Sequence, residues 1–186
     1  MSKEHEEKII VITGQPANGK TTVGRILHDT MDFTYIEGDD FVTPLGKKRL
    51  NNGTWDDTDR RIYISRMAAQ AVEAQRDNPL VVIVDCLTTR WMREFLVDQI
   101  TAINNDLAVG FILIERELSE VQVEEIAAKR SAAGHALDIE ALQRFRHAFE
   151  PWDPRLTHIE LNNPGDGNLE KLALLTKDAI LQIWNH

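Results

Sequence analysis

Residues 14–21 read GQPANGKT, a match at every fixed position to the phosphate-loop pattern G-x-x-x-x-G-K-[ST]. The apolar run KIIVIT, residues 8–13, precedes it, and Val23, Ile26, Leu27 and Met31 follow at helical spacing. Strand, glycine loop and helix are the setting in which this motif binds phosphate. Gly14 and Gly19 allow backbone angles and close approaches that a side chain obstructs. Gln15, Pro16, Ala17 and Asn18 form the body of the loop, and Thr22 continues it into the first helical turn. Loop amides and a helix N-terminus then converge on anionic oxygens. Lys20 has the reach and charge for terminal phosphates, and the Thr21 hydroxyl suits the shell of Mg²⁺. Nucleotide binding is therefore the expectation.

Outward from this loop, apolar strands alternate with helical patterns. A short strand over residues 33–37 ends in Gly38-Asp39-Asp40, and residues 44–59 read as a loop or irregular helix. A helix over 60–76 places Ile64, Ala68, Ala71 and Val72 near one face. LVVIV, residues 80–84, is wholly apolar, as an interior parallel strand should be. Trp91, Met92, Phe95, Leu96, Ile100 and Ile103 form a broad helical stripe. A strand over 107–114, a helix over 139–149, a strand over 156–161 and a helix over 169–184 complete the alternation. Such a chain predicts an α/β fold, a mostly parallel sheet covered on both faces. Residues 119–134 are polar, charged and alanine-rich, anchored only by Val123 and Ile126, and are expected to form a mobile lid.

Composition narrows the chemistry. The 186 residues suggest one domain, 1–186, with 42% hydrophobic and 27% charged residues. A formal charge of −9, with no basic stripe, argues against a nucleic-acid groove. No apolar run reaches the length of a membrane span, and MSKEHEEK lacks the apolar core of a secretory signal. The lone Cys86 suits a reducing cytoplasm, which is the expected location, and a monomer or homodimer is the expected state. The sequence holds no closely spaced Cys/His set for zinc, no G-x-S-x-G elbow and no G-x-G-x-x-G.

In parallel α/β folds, ligands gather at the carboxyl ends of strands. The second strand ends in Glu37, Asp39 and Asp40, and the third in Asp85, which resembles a Walker B aspartate. One carboxylate is expected to position or deprotonate an acceptor hydroxyl, and others, Glu37 and Asp85, to hold Mg²⁺. Arg60, Arg90 and Arg93 are candidates for an anionic acceptor, as is His135 for acceptor or lid contact. Arg130 in the lid segment is the candidate for neutralising a transferring phosphoryl group.

Taken together, GQPANGKTTVGRIL, then EGDDF with Pro44, then Gly53 with DDTDR, resembles the gluconate kinase branch of the shikimate/gluconate kinase group of phosphate-loop kinases. The resemblance continues through Cys86, Arg90 and Arg93, then Arg130, Gly134-His135, Phe145 and Glu150-Pro151. It implies a three-layer sandwich with a five-stranded parallel sheet ordered 2-3-1-4-5, a mobile lid, and ATP with Mg²⁺. It also implies γ-phosphoryl transfer to a sugar-acid hydroxyl. Under it, Lys20 binds the β/γ-phosphates, Thr21 the metal and Asp39 the acceptor hydroxyl. Arg60 and Arg90 meet the acid, Arg130 comes from the lid, and the loop from Asn162 to Gly165 lies near adenine. The chain departs from the branch at Thr43, where a histidine is usual. It departs again at Ala128 and Ala132, where the lid arginines are usual. Shikimate, an antibiotic alcohol or a nucleoside are therefore alternative acceptors. A regulatory phosphate-loop NTPase or nucleotide-sensing protein is the reading from another class.

Overall fold

The computed structural model describes residues 8–132, 138–165 and 168–185, with the side chains of 130 and 131 outside the description. Five parallel strands run β1 (Lys8–Thr13), β2 (Thr34–Glu37), β3 (Leu80–Val84), β4 (Ala108–Glu115) and β5 (His158–Asn162). Their order in the sheet is β2-β3-β1-β4-β5. The helices are α1 (Lys20–His28), α2 (Pro44–Asn51), α3 (Asp57–Gln75), α4 (Arg90–Ile103), α5 (Glu120–Ala132), α6 (Ile139–His147) and α7 (Leu169–Asn185). This is the α/β three-layer arrangement that the sequence leads one to expect.

Strand alternation makes the two outer layers. Ile9 and Val11 of β1, with Val81 and Ile83 of β3, point to a core shared with Ile64, Met67 and Ala68 of α3 and Leu96 of α4. Ile10 and Ile12, with Val82 and Val84, point the other way, to Val23 and Leu27 of α1 and Ile180 of α7. Because helices cover both faces, β1 and β3 are buried at every residue. Even Lys8 is buried, its Nζ donating to the Ile183 carbonyl at 3.0 Å. The strand order reverses at β1, which lies between β3 and β4, and the glycine loop leaves from its end.

Residues 44–59 are more regular than the sequence reading. Thr43 caps α2 by accepting from the Gly46 amide at 3.0 Å, with Pro44 in the first helical turn. Asp56 and Asp59 form a capping box that starts α3 at Asp57, so acids read as loop charges are helix-initiating groups. The segment expected to form a lid also has a small core. Val123 and Ala127 of α5 pack against Leu142 of α6 in a cluster separate from the two main layers.

Candidate functional site

The glycine loop is tied down from several directions. Gly14 has φ 144°, and a Cβ there would run into the Ile114 carbonyl of β4, so no other residue fits. Ala17 and Gly19 also have positive φ, 72° and 95°. Asn18 donates through Nδ2 to the Ile114 carbonyl at 2.8 Å, and its own carbonyl accepts from Asn163 Nδ2 at 2.9 Å. Arg146 of α6 donates through Nη1 to the Pro16 carbonyl at 2.7 Å and to Asn18 Oδ1 at 3.3 Å. Lys20 Nζ donates to the carbonyls of Gly14 and Gln15, both at 2.9 Å, which bends the ammonium back over the loop. Thr21 and Thr22 lie in the first turn of α1, whose dipole adds to the positive field there.

Beside this loop the ends of β2 and β3 bring carboxylates together. Glu37 Oε2 accepts from the Tyr35 hydroxyl at 2.5 Å, and its Oε1 lies 3.4 Å from Thr21 Oγ1. Burial, and after it the nearby Asp39 charge, pushes the Glu37 carboxyl up, partly offset by the Tyr35 bond. Asp85 is buried, its amide donating to the Ile12 carbonyl at 3.1 Å and its carboxylate accepting from the Tyr63 hydroxyl. Gly38 leaves the space this carboxylate fills, since a Cβ there would collide with it. Burial raises Asp85 well above the ordinary carboxylate range; Asp39 adds to the effect and the Lys20 charge opposes it.

These groups share one cavity of about 270 Å³, lined by Lys20 and Thr21 of α1, Glu37 at the end of β2, Asp39 and Asp40 just beyond it, and Asp85. Arg60 reaches it from α3. Its Nη1 pairs with Asp57 Oδ1 at 2.7 Å, while its buried Nε has no partner among the described residues. The oxygen-rich donor set of Thr21, Glu37 and Asp85 fits Mg²⁺, which commonly takes one or two carboxylates and leaves the rest to water and phosphate. Among the described residues no group of three or more His, Cys, Asp or Glu side chains forms a metal cage.

Two expected acceptor ligands lie elsewhere. Arg93 is fully buried and does not line the cavity. Its Nη2 donates to the carbonyls of Glu150 and Pro151 at 3.1 and 3.0 Å, and its guanidinium lies 4.8 Å from the Trp152 ring centroid and 5.3 Å from that of Phe149. It holds the 149–152 segment against α4, and burial lowers its affinity for a proton. Arg90 is half exposed outside the cavity lining, with Nε 3.5 Å from Asp153 Oδ2 and its amide donating to Glu150 Oε2 at 2.6 Å. Asn162 and Gly165 also stand outside the lining; Gly165, with φ 74°, packs under the Arg116 guanidinium. Arg130 is carried by α5 with its side chain outside the description, and His135 lies outside the described residues.

The sequence reading did not single out Trp55, Tyr63, Met92 or Lys47, all of which line the cavity, nor Arg116 and Arg146 beside the loop. Only folding brings them there: Arg146 and Pro16 are 130 residues apart in the chain.

Among solved structures, the chain is similar to a gluconokinase from Sinorhizobium meliloti 1021, with 17% identity, a TM-score of 0.70, and 97% of this chain and 95% of that one covered. A sugar kinase from Janibacter sp. HTCC2649 gives 21% identity and a TM-score of 0.69 over 92% of this chain and 95% of that one. The APS kinase CysC of Mycobacterium tuberculosis, in complex with AMPPNP and APS, gives 18% and 0.60 over 95% and 98%. At such identities the likeness is one of fold. No curated protein matches the sequence. A family model described as "AAA domain" matches residues 9–152, and this chain, with its phosphate loop at the switch point of a parallel sheet, belongs to that family.

Proposed function

We propose that the protein is an ATP-dependent phosphotransferase acting on the hydroxyl of a small, anionic molecule. One observation carries the reading: Lys20 and Thr21 of the phosphate loop line a single cavity together with Asp39, which follows β2. A nucleotide sensor needs only the loop. A kinase also needs a second group beside it to receive an acceptor proton, and a space for the acceptor.

In this reading ATP supplies the phosphoryl group, and Thr21 with Glu37 or Asp85 would hold Mg²⁺, which would supply neutralisation of phosphate charge. Lys20 leaves the loop carbonyls for the β- and γ-phosphate oxygens. Asp39 orients the acceptor hydroxyl and takes its proton as the oxygen bonds to the γ-phosphorus and the β,γ-bridging P–O bond breaks, leaving ADP. Arg60 meets the anionic group of the acceptor, and α5, carrying Arg130, closes over the transferring group. The fold shared with a gluconokinase and a sugar kinase agrees with this chemistry. The narrower expectation of a sugar acid rests on the resemblance and on Arg60, because Arg90 and Arg93 are engaged outside the cavity.

The test incubates the full chain with Mg-ATP and a panel of hydroxy acids, polyols and nucleosides, following ADP release and phosphorylated product by mass spectrometry. Acceptor-dependent product is expected, and Lys20→Ala should cut it by at least ~100-fold. ADP release that is indifferent to every acceptor would refute the kinase reading and favour a regulatory NTPase.

A further inference from the structure

Besides its charged groups, the cavity is lined by apolar and aromatic side chains. Val42, Leu50, Trp55, Tyr63, Met92 and Phe145 supply this lining, from α2, α3, α4, α6 and the segments between them. It is a constructed surface. Gly46 of α2 is buried directly against the indole of Trp55, and a Cβ there would come within 2.5 Å of Cζ3. Only glycine leaves room for the ring in this position. Trp55 in turn stands edge-on to Tyr63, centroids 6.3 Å apart at 72°, and the Tyr63 hydroxyl is anchored on Asp85. The indole is thus fixed by packing on one side and by its ring contact on another.

Such a lining is poorly matched to an open-chain polyol. Each hydroxyl taken out of water without a partner costs about 1–3 kcal/mol, and Val42, Leu50 and Phe145 offer no partner. It suits a flat apolar body, which stacks on aromatic rings and needs no polar partners there. Charge recognition is left to Arg60. Its Nη1 is paired with Asp57 and its buried Nε has no partner among the described residues, so the guanidinium, which lines the cavity, is not saturated by the protein. Lys47, on the same lining, forms no ion pair among the described residues.

Building on the kinase reading above, we infer that the acceptor is an aromatic hydroxy acid. Its ring packs against Trp55 and Phe145, its carboxylate meets Arg60, and its hydroxyl is presented to Asp39. The transfer is the one already written: the acceptor oxygen gains the γ-phosphoryl group, Asp39 receives the proton and ADP leaves.

The experiment compares 3-phenyllactate and tropate with gluconate and shikimate as acceptors for the full chain, under Mg-ATP and with product identified by mass spectrometry. The aromatic acids should exceed gluconate in kcat/KM by ~10-fold or more, the scale on which a well-packed apolar pocket discriminates. Trp55→Ala should raise the KM of the aromatic acceptor ~10-fold and leave the KM of ATP within ~2-fold, while Trp55→Phe restores most of the affinity. Gluconate outperforming both aromatic acids would overturn this inference and leave the kinase reading standing. Equal loss of acceptor and ATP affinity in Trp55→Ala, with a wild-type thermal midpoint, would overturn the stacking role. Failure of every acceptor on the wider panel would bring down the kinase reading, and this inference with it.

Discussion

Replacing Arg93 by alanine separates a structural arginine from a substrate ligand. Arg93 is fully buried, and its Nη2 donates to the carbonyls of Glu150 and Pro151. Hydrogen bonds from a charged group are each worth about 1.5–3 kcal/mol. Truncation also leaves those two carbonyls without this donor. The contacts with Trp152 and Phe149 add about 0.5–2 kcal/mol. Against this stands the cost of burying a guanidinium whose Nε and Nη1 find no partner among the described residues, a cost that alanine removes. The balance is a loss of about 3–5 kcal/mol, as for breaking other buried charged contacts. At roughly 2–4 °C per kcal/mol for a chain of this size, the thermal midpoint should fall by about 10 °C. Arg93→Lys should lose less, since it keeps the charge and one donor. The assay is thermal unfolding by circular dichroism, paired with acceptor KM measured well below the midpoint. A midpoint within ~2 °C of wild type, together with a ~10-fold rise in acceptor KM, would refute the structural assignment.

Other perturbations address the site itself. Asp39→Asn should leave ATP affinity nearly intact and lower acceptor-dependent kcat by ~100-fold or more, since it removes the proton acceptor; loss of ATP binding with normal acceptor kinetics would move Asp39 to the nucleotide shell. Asp85→Asn should raise the thermal midpoint at neutral pH. Because the Asp85 carboxyl is raised in the folded chain, the stability it contributes is present below the ordinary carboxylate pKa and lost as pH rises through the folded value. The gap between mutant and wild type should therefore open as pH climbs above the ordinary carboxylate range, and a gap that is constant or reversed would show Asp85 ionised against Lys20. Arg130→Ala should lower kcat more than acceptor binding, and α5 should gain hydrogen-exchange protection when ATP analogue and acceptor are both present; wild-type kcat with unchanged exchange would end the lid proposal.

The fold was legible because burial writes itself into sequence at short range. LVVIV can only be an interior strand in a chain of this kind, and GQPANGKT fixes the turn that follows β1. The site was legible where residues adjoin strand ends, as with Lys20, Thr21, Asp39 and Asp85. Arg93 shows a signal present but overridden by residue type. It stands three and seven positions before Leu96 and Ile100, on the buried stripe of α4, and its periodicity pointed inward although its charge suggested a ligand. Pro44 and the Asp56…Asp59 spacing likewise announced α2 and α3 to anyone reading caps before charges. Trp55 and Arg146 carried no such signal. Their positions depend on how α2, α3 and α6 meet the sheet, and no local pattern encodes that meeting.

The carboxylates beside the phosphate loop oppose stability, and that opposition is itself informative. Glu37 and Asp85 are both raised by burial, and both feel the charge of Asp39. A chain selected for stability alone would place neutral groups on this lining, because like charges in a poorly solvated space repel with little screening. The surrounding residues soften the conflict without ending it: Tyr35 and Tyr63 donate to Glu37 and Asp85, and Lys20 opposes the upward shift of Asp85. What the cluster does provide is a negative rim beside a positive loop. Such a pair can hold a hydrated cation against phosphate while one remaining carboxylate faces an incoming hydroxyl. Under the proposed function these carboxylates stand where phosphoryl transfer would use them, so Asp85→Asn should gain stability at the expense of turnover.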